Sequence, residues 1–254
     1  MKITVPTKWS ELNNWQRQEI AYLYLNSTEY NFESQFLKMI RVLFQGERGF
    51  FGKVRVARVF SQVPISTLVE YGKFLQEKPD LQEFPKIKSL EAPGPRLNDT
   101  IIKQFSVADA IFYNWRKTED ELYLRRLVAS LYTFGGEFNV LYLPKVAKIT
   151  DKIPLKKMYQ IGMTYIGIRF AILNRYPIVF PKPKSKEYQE FTPQFHKKSY
   201  TPFSKMITTM AMDERQPLGI LKECNNTLLY DFLYILTESM LRVEREQKAI
   251  KNAK

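Results

Sequence analysis

The residues able to do covalent or acid–base chemistry are few in this chain. A nucleophile needs a base within hydrogen-bond reach, and Cys224 and His196 are the only residues of their kinds. Structural zinc sites use four Cys or His ligands, so zinc has too few donors here. No Gly-x-x-x-x-Gly-Lys phosphate loop occurs. Gly162 and Gly167 fall inside a helical pattern and do not form a dinucleotide loop. The densest carboxylates are Asp109, Glu119, Asp120 and Glu121. Three of them sit at a helix start, where acids complement the helix dipole. Pro79-Asp80 has no Asp/Glu-x-Lys partner on a nearby strand, and Glu246-x-Lys248 lies in a charged tail helix. The sequence therefore predicts no enzymatic activity and no cofactor. The rival is a magnesium-dependent nuclease or nucleotide enzyme using Asp109, Glu119 or Asp120.

Binding residues are more plentiful. Between Pro177 and Pro202, apolar periodicity stops, and prolines, lysines and aromatic residues alternate. Lys182, Lys184, Lys186, Lys197 and Lys198 are candidate phosphate contacts, since cations track a nucleic-acid backbone while rings stack on unpaired bases. Tyr188, Phe191, Phe195, Tyr200 and Phe203 are candidate anchors for a protein partner. Glu187 and Glu190 dilute the positive charge, which favours protein docking over nucleic acid. The net charge of +13 suits acidic or polyanionic partners. The lysines, however, are spread along the chain without a block of like charge. A single cysteine excludes an internal disulfide and suits a reducing compartment. The first residues lack the long apolar region of a signal peptide.

The element around which these residues are arranged is 154–176. Met158, Ile161, Tyr165, Ile168 and Ile172 recur at helical spacing, and Ile166, Phe170 and Leu173 make the other faces apolar as well. Such a helix is buried or membrane-spanning. A span needs about 20 apolar residues, and Gln160 and Arg169 interrupt a shorter run, so a core helix is expected. Gly162 and Gly167 imply close approach of a neighbouring helix.

Around it the periodicity predicts a mainly α-helical protein with a small β element. Helices are expected after a Ser10 cap, over 32–44 with Phe36, Met39, Ile40 and Leu43 inward, and over 64–72. Further helices are expected over 104–115 and from a Thr118 cap to Gly135-Gly136. Residues 50–60 fit either a strand or an amphipathic helix. Two short helices should follow Pro202, then a last one over 227–248. The β element would be a short N-terminal strand at 2–6 and a hairpin over 86–102. The expected organisation is a core domain, 1–176, an arm at 177–203, and a C-terminal helical segment, 204–254, packed on the core. No internal repeat is evident.

Four stretches carry a resemblance: Val5-Pro6-Thr7-Lys8-Trp9-Ser10-Glu11-Leu12, Ile101-Ile102-Lys103-Gln104-Phe105-Ser106-Val107-Ala108-Asp109-Ala110, Leu127-Val128-Ala129-Ser130-Leu131-Tyr132 and Tyr176-Pro177-Ile178-Val179-Phe180. In these and in the order of its elements the chain resembles helical tail-assembly or head–tail proteins of tailed bacteriophages. That resemblance implies no catalytic residues and a place in the virion or host cytoplasm; no membrane partner is expected, because no transmembrane segment is evident. The resemblance also implies contacts with other phage structural proteins in an oligomeric assembly.

Overall fold

The structure is a computed structural model that describes residues 4–181 and 202–252. It is mainly α-helical, as expected: eleven α-helices are present among these residues. In order they are α1 (Asn14–Leu25), α2 (Phe32–Gln45), α3 (Phe50–Gln62), α4 (Ile65–Glu70), α5 (Ile102–Thr118), α6 (Glu121–Leu131), α7 (Leu143–Thr150), α8 (Leu155–Arg175), α9 (Phe203–Met212), α10 (Leu221–Asn226) and α11 (Leu229–Asn252).

The expected β element is not seen among the described residues. Residues 4–8 carry no strand, and 86–102 contributes only isolated bridges, Ile87 with Leu90, Glu91 with Thr133 and Ile101 with Leu228. Two prolines flank Gly94 and cannot donate to a ladder. Ser89, Arg96 and Leu97 also take positive φ values of 67°, 58° and 63°. The backbone coils where a hairpin would need it extended. Residues 50–60 resolve to a helix, α3.

Two caps differ from expectation. Asn13, not Ser10, opens α1: its side chain accepts from the Gln16 backbone (2.9 Å), and Gln16 Oε1 accepts from the Asn13 backbone (3.0 Å). This reciprocal pair satisfies two orphan donors. Ser10 lies instead in a 3-10 turn over Trp9–Glu11. Asp120, not Thr118, caps α6 by accepting from Leu122 N at 2.8 Å. Thr118 closes α5, its hydroxyl donating to the Asn114 carbonyl at 2.9 Å.

The chain forms two compact units. The described part of the first is 4–82 with 153–167; that of the second is 83–152, 168–181 and 202–252. In the first, Met39, Ile40, Leu43, Leu75 and Met163 form the buried centre, and Trp9 stands edge-on to Tyr24 and Phe74 at 6.3 and 5.9 Å. In the second, Phe105, Ala108, Phe112 and Trp115 are buried along α5, the face that the spacing predicts.

α8 is the expected core helix, with Met158, Ile161, Tyr165, Ile168 and Ile172 all buried. Both polar interruptions are engaged. Gln160 Nε2 donates to Asn14 Oδ1 at 3.1 Å in the first unit, and Arg169 pairs with buried Asp109 in the second. Gly167 meets backbone rather than a helix: a Cβ there would lie 2.3 Å from the Pro79 carbonyl oxygen. Gly167→Ala is therefore expected to lower stability by about 1–3 kcal/mol, the usual cost of overpacking. A denaturant midpoint unchanged from the parent would show that 79–81 yields freely.

The two units open on the same helical hairpin, which corrects the reading that the chain has no repeat. Gln16, in the first turn of α1, donates through Nε2 to the carbonyls of Val42 (3.4 Å) and Leu43 (3.1 Å) near the end of α2. Gln104, in the first turn of α5, donates to the carbonyls of Ser130 (3.1 Å) and Leu131 (2.9 Å) at the end of α6. In both hairpins a buried amide donates to carbonyls at the helix end; Leu43, Ser130 and Leu131 are in the last turn, where carbonyls lack intrahelical partners, while Val42 also accepts from the Gly46 backbone. The offset from Gln16 to Gln104 is also that from Val42 to Ser130 and from Leu43 to Leu131. It carries Tyr24 onto Phe112, Phe36 onto Leu124, Met39 onto Leu127 and Ile40 onto Val128, every one of them buried.

The second copy has two extra residues around Thr133-Phe134-Gly135. After them the correspondence resumes. Gly46-Glu47 falls on Gly136-Glu137, Arg55-Val56-Ala57-Arg58-Val59 on Lys145-Val146-Ala147-Lys148-Ile149, and Val63-Pro64-Ile65 on Ile153-Pro154-Leu155. The first copy ends there in the short α4; the second runs from its proline into α8.

Candidate functional site

The repeat singles out one surface feature in each unit. In the first, α2 stops at Gly46 (φ 73°) and the chain turns through Gly49 (φ 137°) into α3. Both angles lie where glycine has no steric penalty. Gly52 locks the turn: a Cβ there would lie 2.6 Å from the Glu47 carbonyl oxygen. Held this way, Phe50 and Phe51 at the start of α3 are 74% and 80% exposed. Their rings touch each other edge to face at 6.0 Å. α3 contains no acid; Lys53 and Arg58 are exposed on it, and Arg55 lies 3.8 Å from Glu47.

In the second unit the turn passes through Gly135 (φ 84°) and Gly136 (φ 88°). Asn139 then caps a 3-10 turn, its side chain accepting from Leu141 N at 2.9 Å. Val140 and Leu141, the counterparts of Phe50 and Phe51, are 42% and 81% exposed. α7 follows, again without an acid, with Lys145 and Lys148 exposed and Lys145 Nζ 5.3 Å from the Tyr142 ring centre. Scattered exposed apolar residues need no explanation; here they come as adjacent pairs. These two pairs occupy equivalent positions on equivalent scaffolds.

Among the described residues the chemistry-bearing side chains do not come together. Asp109 is spent on Arg169, Glu121 on Arg125 and Asp120 on its cap, while Glu119 holds the left-handed end of α5 (φ 57°). Among the described residues no group of three His, Cys, Asp or Glu side chains is placed to hold a metal ion. Cys224 is buried beside the carbonyls of Leu218 (3.6 Å) and Gly219 (3.4 Å), and burial pushes its thiol up from the ordinary value. His196 lies outside the described residues. A cleft of about 670 Å³ in the first unit is lined by Glu11, Asn13, Gln16, Glu47 and Arg55 among others. Its groups serve one another: Glu47 faces Arg55, and Asn13 Nδ2 donates to the Gly46 carbonyl. Glu11 accepts from the Thr7 backbone at 2.8 Å, which holds its carboxyl below the usual range.

Of the expected binding residues, Lys182, Lys184, Lys186, Tyr188, Phe191, Phe195, Lys197, Lys198 and Tyr200 lie outside the described residues. Phe203 is described, and it is no exposed anchor. It opens α9 as a buried side chain, with its ring 5.0 Å from Phe105 and 5.7 Å from Phe180. The exposed pairs at 50–51 and 140–141 went unrecognised in the sequence because aligning them needs the two-residue shift at 133–135. The signal that finds them is the run Arg/Lys-Val-Ala-Arg/Lys-Val/Ile followed by Val/Ile-Pro.

No helix among the described residues is long and apolar enough to cross a membrane. Comparison of the chain with protein-family models, with curated proteins and with solved structures finds no match.

Proposed function

We propose that this chain is a non-enzymatic structural or assembly protein working through protein–protein contacts, as in the tails or head–tail junctions of bacteriophages. Its place is then the virion or the host cytoplasm, with other phage structural proteins as partners. The observation that carries this reading is α11. Leu229, Leu233 and Leu236 form a buried stripe on that helix, spaced by four and three residues. The same stripe runs on through Met240, Val243 and Ile250, which are exposed, as is every residue from Val243 to Asn252. On its own the exposed stretch 243–252 is short enough to be a marginal helix in water, and pairs such as Glu244–Lys248 (2.7 Å) add only a few tenths of a kcal/mol each. An apolar stripe at this spacing is the form in which a helix docks into a groove on a partner.

The experiment is co-sedimentation of the tagged full chain with particles from phage-infected cells. The chain is expected in particles of defined stoichiometry. A Met240→Glu/Val243→Glu/Ile250→Glu variant is expected to keep its thermal transition and to lose incorporation by tenfold or more. Magnesium-dependent cleavage of DNA or RNA, abolished by Asp120→Ala, would replace this reading with the enzyme.

A further inference from the structure

The paired apolar tips, one at the start of α3 and one in the 3-10 turn before α7, lie apart from α11 in the sequence. Comparison of the two copies shows which chemistry they keep. Another exposed position has diverged: Ser66 faces Lys156 across the alignment. Yet Phe50-Phe51 faces Val140-Leu141, Arg55 faces Lys145, and Arg58 faces Lys148. Apolar character persists at one place on both scaffolds, with positive charge at 55/145 and 58/148 although Lys53 faces Leu143, and both helices lack acids.

Side-chain shape does not persist. Phenylalanine and valine differ so much in volume that a protein pocket packed around one leaves a cavity around the other. Base stacking needs free ring faces; the second pair has no ring, and the exposed Tyr142 ring beside it lies against Lys145. The partner that takes a Phe–Phe and a Val–Leu tip alike is a fluid one. The adjoining cations specify its charge: near an anionic lipid surface each Lys or Arg contributes attraction, and apolar side chains enter the headgroup–acyl boundary. Glu47 and Glu137, the acids in the two turns, oppose this; Glu47 is set against Arg55.

We propose that the two tips, Phe50-Phe51 with Lys53 and Arg58, and Val140-Leu141 with Lys145 and Lys148, are twin insertion points by which the protein binds an anionic lipid surface without crossing it. Each tip is a shallow anchor of this kind, and the duplication supplies one in each unit.

The test is flotation of the full-length protein with vesicles of phosphatidylcholine containing about one-third phosphatidylglycerol, against pure phosphatidylcholine, at physiological salt. The protein is expected to float with the anionic vesicles only. Phe50→Ser/Phe51→Ser and Val140→Ser/Leu141→Ser should each weaken binding roughly tenfold. All four changes together should abolish it, with unaltered circular dichroism because the side chains are exposed. The α11 glutamate variant should bind vesicles normally, which separates this proposal from the assembly reading. No binding to anionic vesicles even at low salt would overturn the proposal. So would binding that survives loss of both tips, or a salt-sensitive affinity for a single-stranded oligodeoxythymidine that depends on Phe50 and Phe51 and exceeds that for vesicles.

Discussion

Ile168→Asp is expected to leave no cooperative thermal transition. Ile168 is 2% exposed on α8, and an aspartate there brings a charge into a place that water does not reach. The effective penalty for an unpaired buried ion is several kcal/mol, and removal of the isoleucine adds roughly 2–5 kcal/mol of lost packing. A domain of ordinary stability has about 5–15 kcal/mol in all. The neighbouring Arg169 is no rescue, because its guanidinium already faces Asp109 and lies over the Phe112 ring at 5.2 Å. Thermal melts by circular dichroism at neutral pH check this. A sharp transition within a few degrees of the parent would show that α8 is not the core element.

The second large effect is Asp109→Ala, expected to cost about 3 kcal/mol, the low end for breaking a buried ion pair. The low end applies because Asp109 is 0% exposed but the Arg169 side chain keeps 19% of its surface in solvent. The alanine itself fits the hairpin: the equivalent residue in the first unit is Ala21, also buried. Breaking the pair with Arg169 should therefore contribute to the loss, and Asp109→Ala with Arg169→Met should recover part of it, since hydrophobic replacement of a buried pair is often neutral. Urea titrations of the parent, both single variants and the double variant test this. A double variant as unstable as Asp109→Ala would show that the carboxylate stabilises the hairpin by some route other than its arginine.

The helices were legible wherever burial follows a 3.6-residue period. Phe36, Met39, Ile40 and Leu43 announce α2, and the all-round apolar run at 158–172 announces α8. The caps were less legible, since Ser10 and Thr118 are as good on propensity as Asn13 and Asp120. Only the fold decides which oxygen reaches an orphan N–H. The β-hairpin failed because alternation says nothing about φ, and three left-handed residues in 89–97 exclude an extended chain. The repeat was hidden because what it preserves is geometry: Gln16 and Gln104 are ordinary polar residues until each is seen donating to the end of the next helix. The tips were missed for a related reason. Phe50 and Phe51 look like core residues in a sequence, and only the glycine turn places them outside.

The membership of α8 has a consequence for how the protein is made. Residues 153–167 belong to the first unit, whose other described residues end at 82. Lys156 Nζ binds the Glu19 carboxylate at 2.6 and 2.8 Å, the Tyr159 hydroxyl donates to Asn26 Oδ1 at 3.2 Å, and Met163 sits in the buried centre. On a ribosome the chain emerges from its N-terminus, and contacts distant in sequence slow folding. The first unit must therefore wait, incomplete, while the whole of α5, α6 and α7 is synthesised. A message broken between the two copies yields a fragment lacking its own keystone, so the duplication does not divide this chain into two independently heritable pieces.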